Sequence, residues 1–369
     1  MTLAGRRLSV QQIDQHRFDT PAAVVGWLGA VQGQDYAAAK WAVGLRLPAG
    51  AASEAGVEQA LADGAVVRTH AMRGTWQLVA PEDVRWLLAL VGPGVIARSA
   101  TRYRALGLDA ATVRRSNAAV VKALAGGAQR TRAELAAAME RAGVATGGQR
   151  LAHLLGRAEL DALICGGARR GKQFTYALLD ARAPRARDRA PLRRDEALAE
   201  LARRYFRSRG PATVADFTWW SGLSAADARA GLAAVADGLV SEVSGGRTYW
   251  RGAGAPAPAG ARAPATAAYL LPAFDEYLVA YRDRDAVLAP SQVKRLNAGG
   301  GLLNPCIVVG GRVCGTWRRV LARDRVALAL DFFERPSARA RALVAAAARR
   351  YAAFLGLALG ETAWQAPAR

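Results

Sequence analysis

The sequence predicts an α+β protein, with three tandem winged helix-turn-helix units followed by a β-rich, small barrel-like region. Two observations carry this expectation. A helix–helix–hairpin order recurs three times, and the apolar periodicity changes from helical to alternating beyond residue 266. The expected boundaries are 1–110 for the first unit, 111–185 for the second, 190–255 for the third and 266–369 for the tail.

In the first unit, helices are expected at 21–30, 35–45 and 54–62, then strands Val66 to Met72 and Thr75 to Val79 that meet at Arg73-Gly74. The second unit opens on Thr131-Arg132-Ala133-Glu134, a capping box for a helix to about Arg141. A helix of roughly Gln149 to Leu160 follows. A hairpin then runs from Leu163-Ile164-Cys165 through Arg169-Arg170-Gly171-Lys172 to Phe174-Thr175-Tyr176.

The third unit shows the order best. Ala197, Leu198, Leu201, Tyr205 and Phe206 form one apolar face of a helix that Gly210-Pro211 stops. A short helix from Thr213 to Ser221 comes next, then one from Ala225 to Ala236 opened by a Ser224–Asp227 capping box, then strands around Gly245-Gly246. The stretches Arg182 to Arg194 and Ala253 to Ala265 read as linkers. In the tail, strands are expected at Tyr269–Leu271, Cys306–Val309, Arg312–Trp317 and on both sides of Arg323-Asp324. A closing helix covers Ser337 to Leu355.

Composition narrows the function. The chain is 52% hydrophobic, largely alanine, yet no apolar run is long enough to span a bilayer. Arg6, Arg7, Asp14, His16 and Arg17 argue against a secretory h-region, so a cytoplasmic protein is expected; a nucleoid-associated monomer is expected besides. Lysine plus arginine outnumber acids 51 to 30, a formal charge of +21, with 47 arginines and four lysines. GC-rich coding explains arginine, alanine and glycine enrichment, but it does not suppress acids. The excess therefore favours a nucleic-acid partner. Cys165, Cys306 and Cys314 lack C-x-x-C spacing, and His16, His70 and His153 lie far apart. With no P-loop or dinucleotide fingerprint either, no metal and no cofactor are expected.

The polar segment Gln32-Gly33-Gln34-Asp35-Tyr36 interrupts an apolar run from Val24 to Val31. Glutamines spaced by one residue share a face on a strand but lie about 200° apart on a helix. At a helix entrance both can turn toward one cleft, where each amide offers two donors and an acceptor. A polar-capped helix end explains the same residues. Asp35 reads either as an electrostatic helper or as a residue favoured by the helix dipole. Arg169, Arg170 and Lys172 at the second hairpin tip read either as phosphate contacts or as a solvated basic loop.

The run Val31 to Arg46 resembles the glutamine-x-glutamine segment of the AlkZ–YcaQ family of winged-helix DNA glycosylases. The resemblance continues through Arg68 to Leu78, Leu270 to Tyr277 and Gly311 to Arg318, in order along nearly the whole chain. It implies a cofactor-free, monofunctional glycosylase that hydrolyses the N-glycosidic bond of N7-alkylated purines in double-stranded DNA and unhooks interstrand crosslinks. Gln32 and Gln34 would be catalytic, with Asp35 as a helper, and His70 and Arg73 would touch DNA. A structural histidine explains His70 equally well. Glutamine at 34 resembles the AlkZ branch, associated with alkylation by a DNA-crosslinking antibiotic and with self-resistance. Gly33 departs from the small aliphatic of the family pattern, leaving its backbone open. The competing reading is a non-enzymatic winged-helix regulator or lesion sensor, which has no reason to keep two glutamines beside a cleft. A lyase mechanism is disfavoured because the nearest lysine, Lys40, lies outside the motif.

Overall fold

The structure, a computed structural model, describes residues 2–185, 190–254, 267–299 and 302–367. Its helices begin where capping chemistry puts them. Thr20 accepts from Ala23 N ahead of Pro21–Leu28, whose first residue is proline. Ser53 does the same for Glu54–Asp63, which ends on the left-handed Gly64. Between these helices the chain passes extended through Val31–Gln32 and enters the helix Tyr36–Gly44. Val67–His70 and Trp76–Val79 pair antiparallel, and Val31–Gln32 adds to the far side of Trp76–Val79.

The middle of the chain has helices Arg132–Arg141 and Arg150–Leu160, the first opened by the expected Thr131–Glu134 box. They lead to a sheet in which Thr175–Leu178 lies between Arg130–Thr131 and Ile164–Gly166. Farther on come Arg194–Arg209, Val214–Ser221 and Ala225–Ala233, then the hairpin Leu239–Ser244 and Arg247–Gly252. Only half of the Ser224–Asp227 box forms. Ser224 Oγ accepts from Asp227 N, while the Asp227 carboxylate accepts from the Ser224 hydroxyl and from Arg194 instead of from the Ser224 backbone N–H. Of the two expected linkers, residues 186–189 and 255–265 lie outside the described residues.

The tail corrects one expectation. It is an open sheet, not a barrel: five strands run in the order Ala358–Gln365, Arg325–Phe332, Arg312–Leu321, Cys306–Val309, Ala268–Leu271. The outermost two do not pair. The helix Ala338–Leu355 crosses the sheet and returns the chain parallel to Arg325–Phe332, so the last strand extends one edge rather than closing a ring. That strand was not expected. Its sequence, Ala-Leu-Gly-Glu-Thr-Ala-Trp-Gln, alternates weakly and carries a glycine.

Burial ties distant segments together. One core joins Val24, Leu28, Val31 and Trp41 to Leu270, Ile307, Leu330 and Phe354 of the tail. A second joins Val67, Val79 and Leu88 to Tyr205, Phe206, Phe217 and Trp220. A third collects Tyr103, Leu135, Leu155 and Tyr176. At Gly44 an added Cβ would lie 2.2 Å from the Phe354 ring, so glycine is what lets the closing helix approach. Val31 and Val79, one in each of the first two cores, flank the strand pair that carries Gln32.

Candidate active site

Gln32 is the last residue of the short strand Val31–Gln32, opposite Gln77, with Thr69 beyond it across the sheet. Gly33 N donates to Trp76 O at 2.7 Å and prolongs the pairing by one residue, and Gln34 then lies in the bend that leads into the helix Tyr36–Gly44. Gln32 therefore sits at a strand end and Gln34 at the helix entrance that the sequence led one to expect. Gly33 needs no glycine-specific conformation. An added Cβ there would meet its nearest neighbours at 3.6 Å, ordinary contact that a small aliphatic side chain satisfies.

Gln32 is 8% exposed and fixed at both ends. Its backbone N donates to Glu276 Oε1 at 3.0 Å, and its side-chain Oε1 accepts from Arg73 Nη2 at 2.8 Å. Arg73 also donates through Nη1 to the carbonyl of Trp220. It adopts φ 57° within the turn Met72–Gly74, a left-handed conformation uncommon outside glycine, and this conformation aims the guanidinium inward. Burial pushes its pKa down, and the Glu276 charge partly restores it.

Glu276 is the hub that sequence reasoning missed. Its Oε2 accepts from Arg209 Nε at 3.0 Å, Arg209 Nη2 at 2.6 Å and Trp220 Nε1 at 2.9 Å. Arg209 in turn donates to the carbonyls of Leu28, at 2.5 Å, and Ala30, at 2.8 Å, just ahead of the glutamine strand. One carboxylate thus ties the helices Arg194–Arg209 and Val214–Ser221 and the tail to the backbone that carries Gln32. The available signal was Asp275-Glu276 standing in the otherwise apolar run Leu270 to Tyr281. Buried acids are almost always paired.

The other expected residues fall in three places. Gln34 and Asp35 are exposed. Trp76 N approaches Gln34 Oε1 at 3.5 Å, and Asp35 caps the helix Tyr36–Gly44 by accepting from Ala38 N at 3.0 Å. His70 meets the fully buried Glu159 through Nδ1 and lies 4.0 Å from the Trp76 ring, centroid to centroid. Burial raises the Glu159 pKa, against the pull of His70. Arg169, Arg170 and Lys172 stand on the second hairpin. Arg170 is already engaged by Glu134 Oε1 at 3.0 Å and Gln129 O at 2.9 Å. Trp317 is core, its Nε1 donating to Leu271 O. Lys40 is buried and ion-paired with Glu54 at 2.9 Å and Glu58 at 2.8 Å, which commits the amine to structure.

No group of three or more His, Cys, Asp or Glu side chains among the described residues could hold a metal ion. Among those residues no helix is long and apolar enough to cross a membrane.

A model of the family of AlkZ-like DNA glycosylases matches residues 25–354, which include both glutamines, Arg73 and Glu276. The chain belongs to the AlkZ-like DNA glycosylase family. It is 28% identical over 328 residues to an interstrand DNA cross-link repair glycosylase of Streptomyces sahachiroi, covering 85% of this chain and 86% of that one. Its fold matches the solved structure of the Streptomyces sahachiroi DNA glycosylase AlkZ with a TM-score of 0.79. Identity there is 26%, and the match covers 98% of each chain. The family places this protein among DNA repair enzymes and supplies DNA as the polyanion that the +21 charge calls for.

Proposed function

We propose that this protein is a monofunctional DNA glycosylase that hydrolyses the N-glycosidic bond of N7-alkylated purines in double-stranded DNA and unhooks interstrand crosslinks. The observation that carries the reading is Gln32, a buried amide anchored through both its backbone and its side chain, two residues from the exposed Gln34. Family membership and the crosslink-repair relative support the substrate class.

An N7-alkylated guanine carries a positive charge on its ring and departs readily. As the bond from C1′ to the base nitrogen breaks, its electron pair neutralises the ring and the sugar becomes oxocarbenium-like. A positioned water then attacks C1′ and sheds its proton to solvent. The protein needs to supply water placement and a site that tolerates positive charge at C1′. Arg73 occupies one lone pair of Gln32 Oε1 and leaves the other to accept from the water. Gln34, reachable from solvent, completes the grip. Asp35 is spent on a helix cap, and in this reading its charge helps electrostatically from there.

In this reading the three helix–hairpin segments act as winged helices on the duplex, with Arg169 and Lys172 against phosphate and Arg73 acting through Gln32. The protein works as a monomer on DNA in the cytoplasm. The test is incubation with duplex DNA carrying N7-methylguanine, followed by alkali. Strand breaks at the modified guanine are expected, and an intact strand overturns the proposal.

A further inference from the structure

The other face of the glutamine-bearing sheet carries a cavity that hydrolysis does not use. Strand alternation puts Arg68, His70 and Trp76 opposite the face shared by Gln32, Thr69 and Gln77. A cavity of about 650 Å³ opens between this face and the second hairpin, a size that holds a small-molecule ligand. Its walls combine aromatic rings with cations: Tyr36, Trp76 and Phe174 with Arg68, Arg169 and Lys172.

Guanidinium groups and aromatic rings are interleaved along the wall. The Arg68 guanidinium lies 3.8 Å from the Trp76 ring centroid and 4.9 Å from that of Phe174. Arg169 lies 5.3 Å from Phe174 and 5.5 Å from Tyr36. Tyr36 meets Phe174 edge-on at 4.9 Å, and its hydroxyl is held by Glu58 at 2.7 Å, which fixes the ring. Phe174 is a large apolar ring left 42% exposed.

The charges are unbalanced. Arg170, one residue away, has Glu134. Arg68, Arg169 and Lys172 have no carboxylate within ion-pairing distance among the described residues, and the buried Nε of Arg169 has no hydrogen-bond partner. Arg68 and Arg169 are held partly out of water, Arg68 with only the more distant Glu159 charge in its favour, while Lys172 is exposed at the rim; an entering anion offsets the cost at the two arginines. A bare anion would leave the exposed Phe174 ring uncovered, while a neutral ring would leave the cations unpaired. A ligand with a planar aromatic ring and an attached anion satisfies both.

We propose that this cavity receives one unstacked nucleotide of the bound duplex, its base against Phe174 and Tyr36 and its phosphate between Arg169 and Lys172. The proposal rests on the glycosylase reading for its source of nucleotide. The outer wall is the hairpin assigned to phosphate, and Trp76, on the inner wall, offers its backbone N–H toward Gln34. Extruding a nucleotide costs least beside damaged or distorted steps, which is where such an enzyme binds. Aromatic faces accept any base, so the site adds grip without sequence preference.

Calorimetry on the full chain tests the ligand class with dAMP, deoxyribose 5-phosphate, inorganic phosphate and benzoate. Binding of dAMP at least tenfold tighter than deoxyribose 5-phosphate is expected, with most of that margin lost in Phe174→Ala and in Arg169→Ala. Equal binding of dAMP and inorganic phosphate overturns the proposal, as does a margin indifferent to both substitutions. Benzoate binding more tightly than dAMP also overturns it, since the cavity would then serve the aromatic part of an adduct. Permanganate oxidation of thymines flanking an N7-alkylguanine tests the source. One thymine should become several-fold more reactive on binding the wild-type protein and return toward the free-duplex level with Phe174→Ala. Unchanged reactivity in the wild-type complex sinks the duplex assignment. The two readings fail separately. A protein that binds dAMP at Phe174 but releases no N7-methylguanine keeps the site and loses the glycosylase function, and the reverse result does the opposite.

Discussion

Arg73 Nη2 donates to Gln32 Oε1 at 2.8 Å, so an arginine from the neighbouring hairpin turn sets the orientation of that amide. An amide that could flip would present a donor in place of an acceptor, and the proposed mechanism needs the acceptor for its attacking water.

Substituting the glutamines is the direct test. Gln32→Ala or Gln34→Ala should slow base release in single-turnover experiments by roughly 10²-fold, the scale seen when a fixed polar group is removed from a transition state. DNA affinity should hardly change. Gln34→Asp should retain activity, because a carboxylate can hold the same water. Since an amide does not titrate near neutrality, the pH–rate profile should be nearly flat between about pH 6 and 9, without the bell of a two-group acid–base enzyme. A double Gln→Ala variant that releases base at the parent rate removes the assignment.

Arg73→Met separates positioning from DNA contact. If the guanidinium acts through Gln32, the variant should lose about tenfold in rate, with affinity and its salt dependence intact. A salt slope reduced by about one unit, with an unchanged rate at saturation, would move Arg73 to the phosphate backbone.

On the second hairpin, charge reversal at Arg169, Arg170 and Lys172 together should weaken binding to every duplex and flatten its salt dependence. The contributions should be unequal. Arg170 is tied to Glu134, whose pKa is lowered to about 2 mainly by the Thr131 backbone hydrogen bond and then by Arg170. Arg169→Glu and Lys172→Glu should therefore carry most of the effect, read by fluorescence anisotropy across a salt series. An unchanged triple variant would turn this hairpin away from DNA.

Glu276→Gln leaves an acceptor for Gln32 N but strips Arg209 of its counter-charge in a fully buried site. Breaking such a pair costs about 3–5 kcal/mol, so urea unfolding should shift to markedly lower concentration. An unchanged midpoint would remove Glu276 from the hub.

His16 gives a pH signature of its own. Burial, reinforced by the Arg350 charge, lowers its pKa to about 4 from 6.5, and its Nε2 accepts from Arg350 Nη2. The folded state keeps this histidine neutral while the unfolded chain protonates it below 6.5. Its contribution is therefore full above about pH 6.5 and is lost as pH falls toward 4. His16→Asn, which suits the left-handed φ of 49° there, should flatten stability over that window in denaturant titrations. EDTA should leave base release intact throughout, and loss of activity restored by zinc or magnesium would show a metal requirement.

Much of this architecture was legible because its signals are local. Thr131 and Glu134 announce a helix start within four residues, and Gly245-Gly246 announces a hairpin. The glutamine pair was legible as an interruption, polar residues where an apolar run should continue. Glu276 was not, because its meaning lies in Arg209, Trp220 and Gln32, three residues brought to it from far along the chain. The closing strand Ala358–Gln365 was missed for a related reason. Its pairing is decided by the helix that carries it back, and its own alternation is weak. The open sheet follows from that parallel return, which no window of sequence displays.

The core that joins Val31 and Trp41 to Leu330 and Phe354 has a consequence for how the enzyme is made. A ribosome delivers the glutamine strand early and its packing partners last, with more than two hundred residues between them. Closing such a long loop cannot begin until the end of the chain has emerged. A truncated or half-synthesised product therefore presents Gln32 without Glu276 or the tail sheet that sets its backbone. If Gln32 is catalytic as proposed, competence to release bases arises only once the tail has folded onto it, so an unfinished arginine-rich polypeptide can bind DNA before it can cut glycosidic bonds.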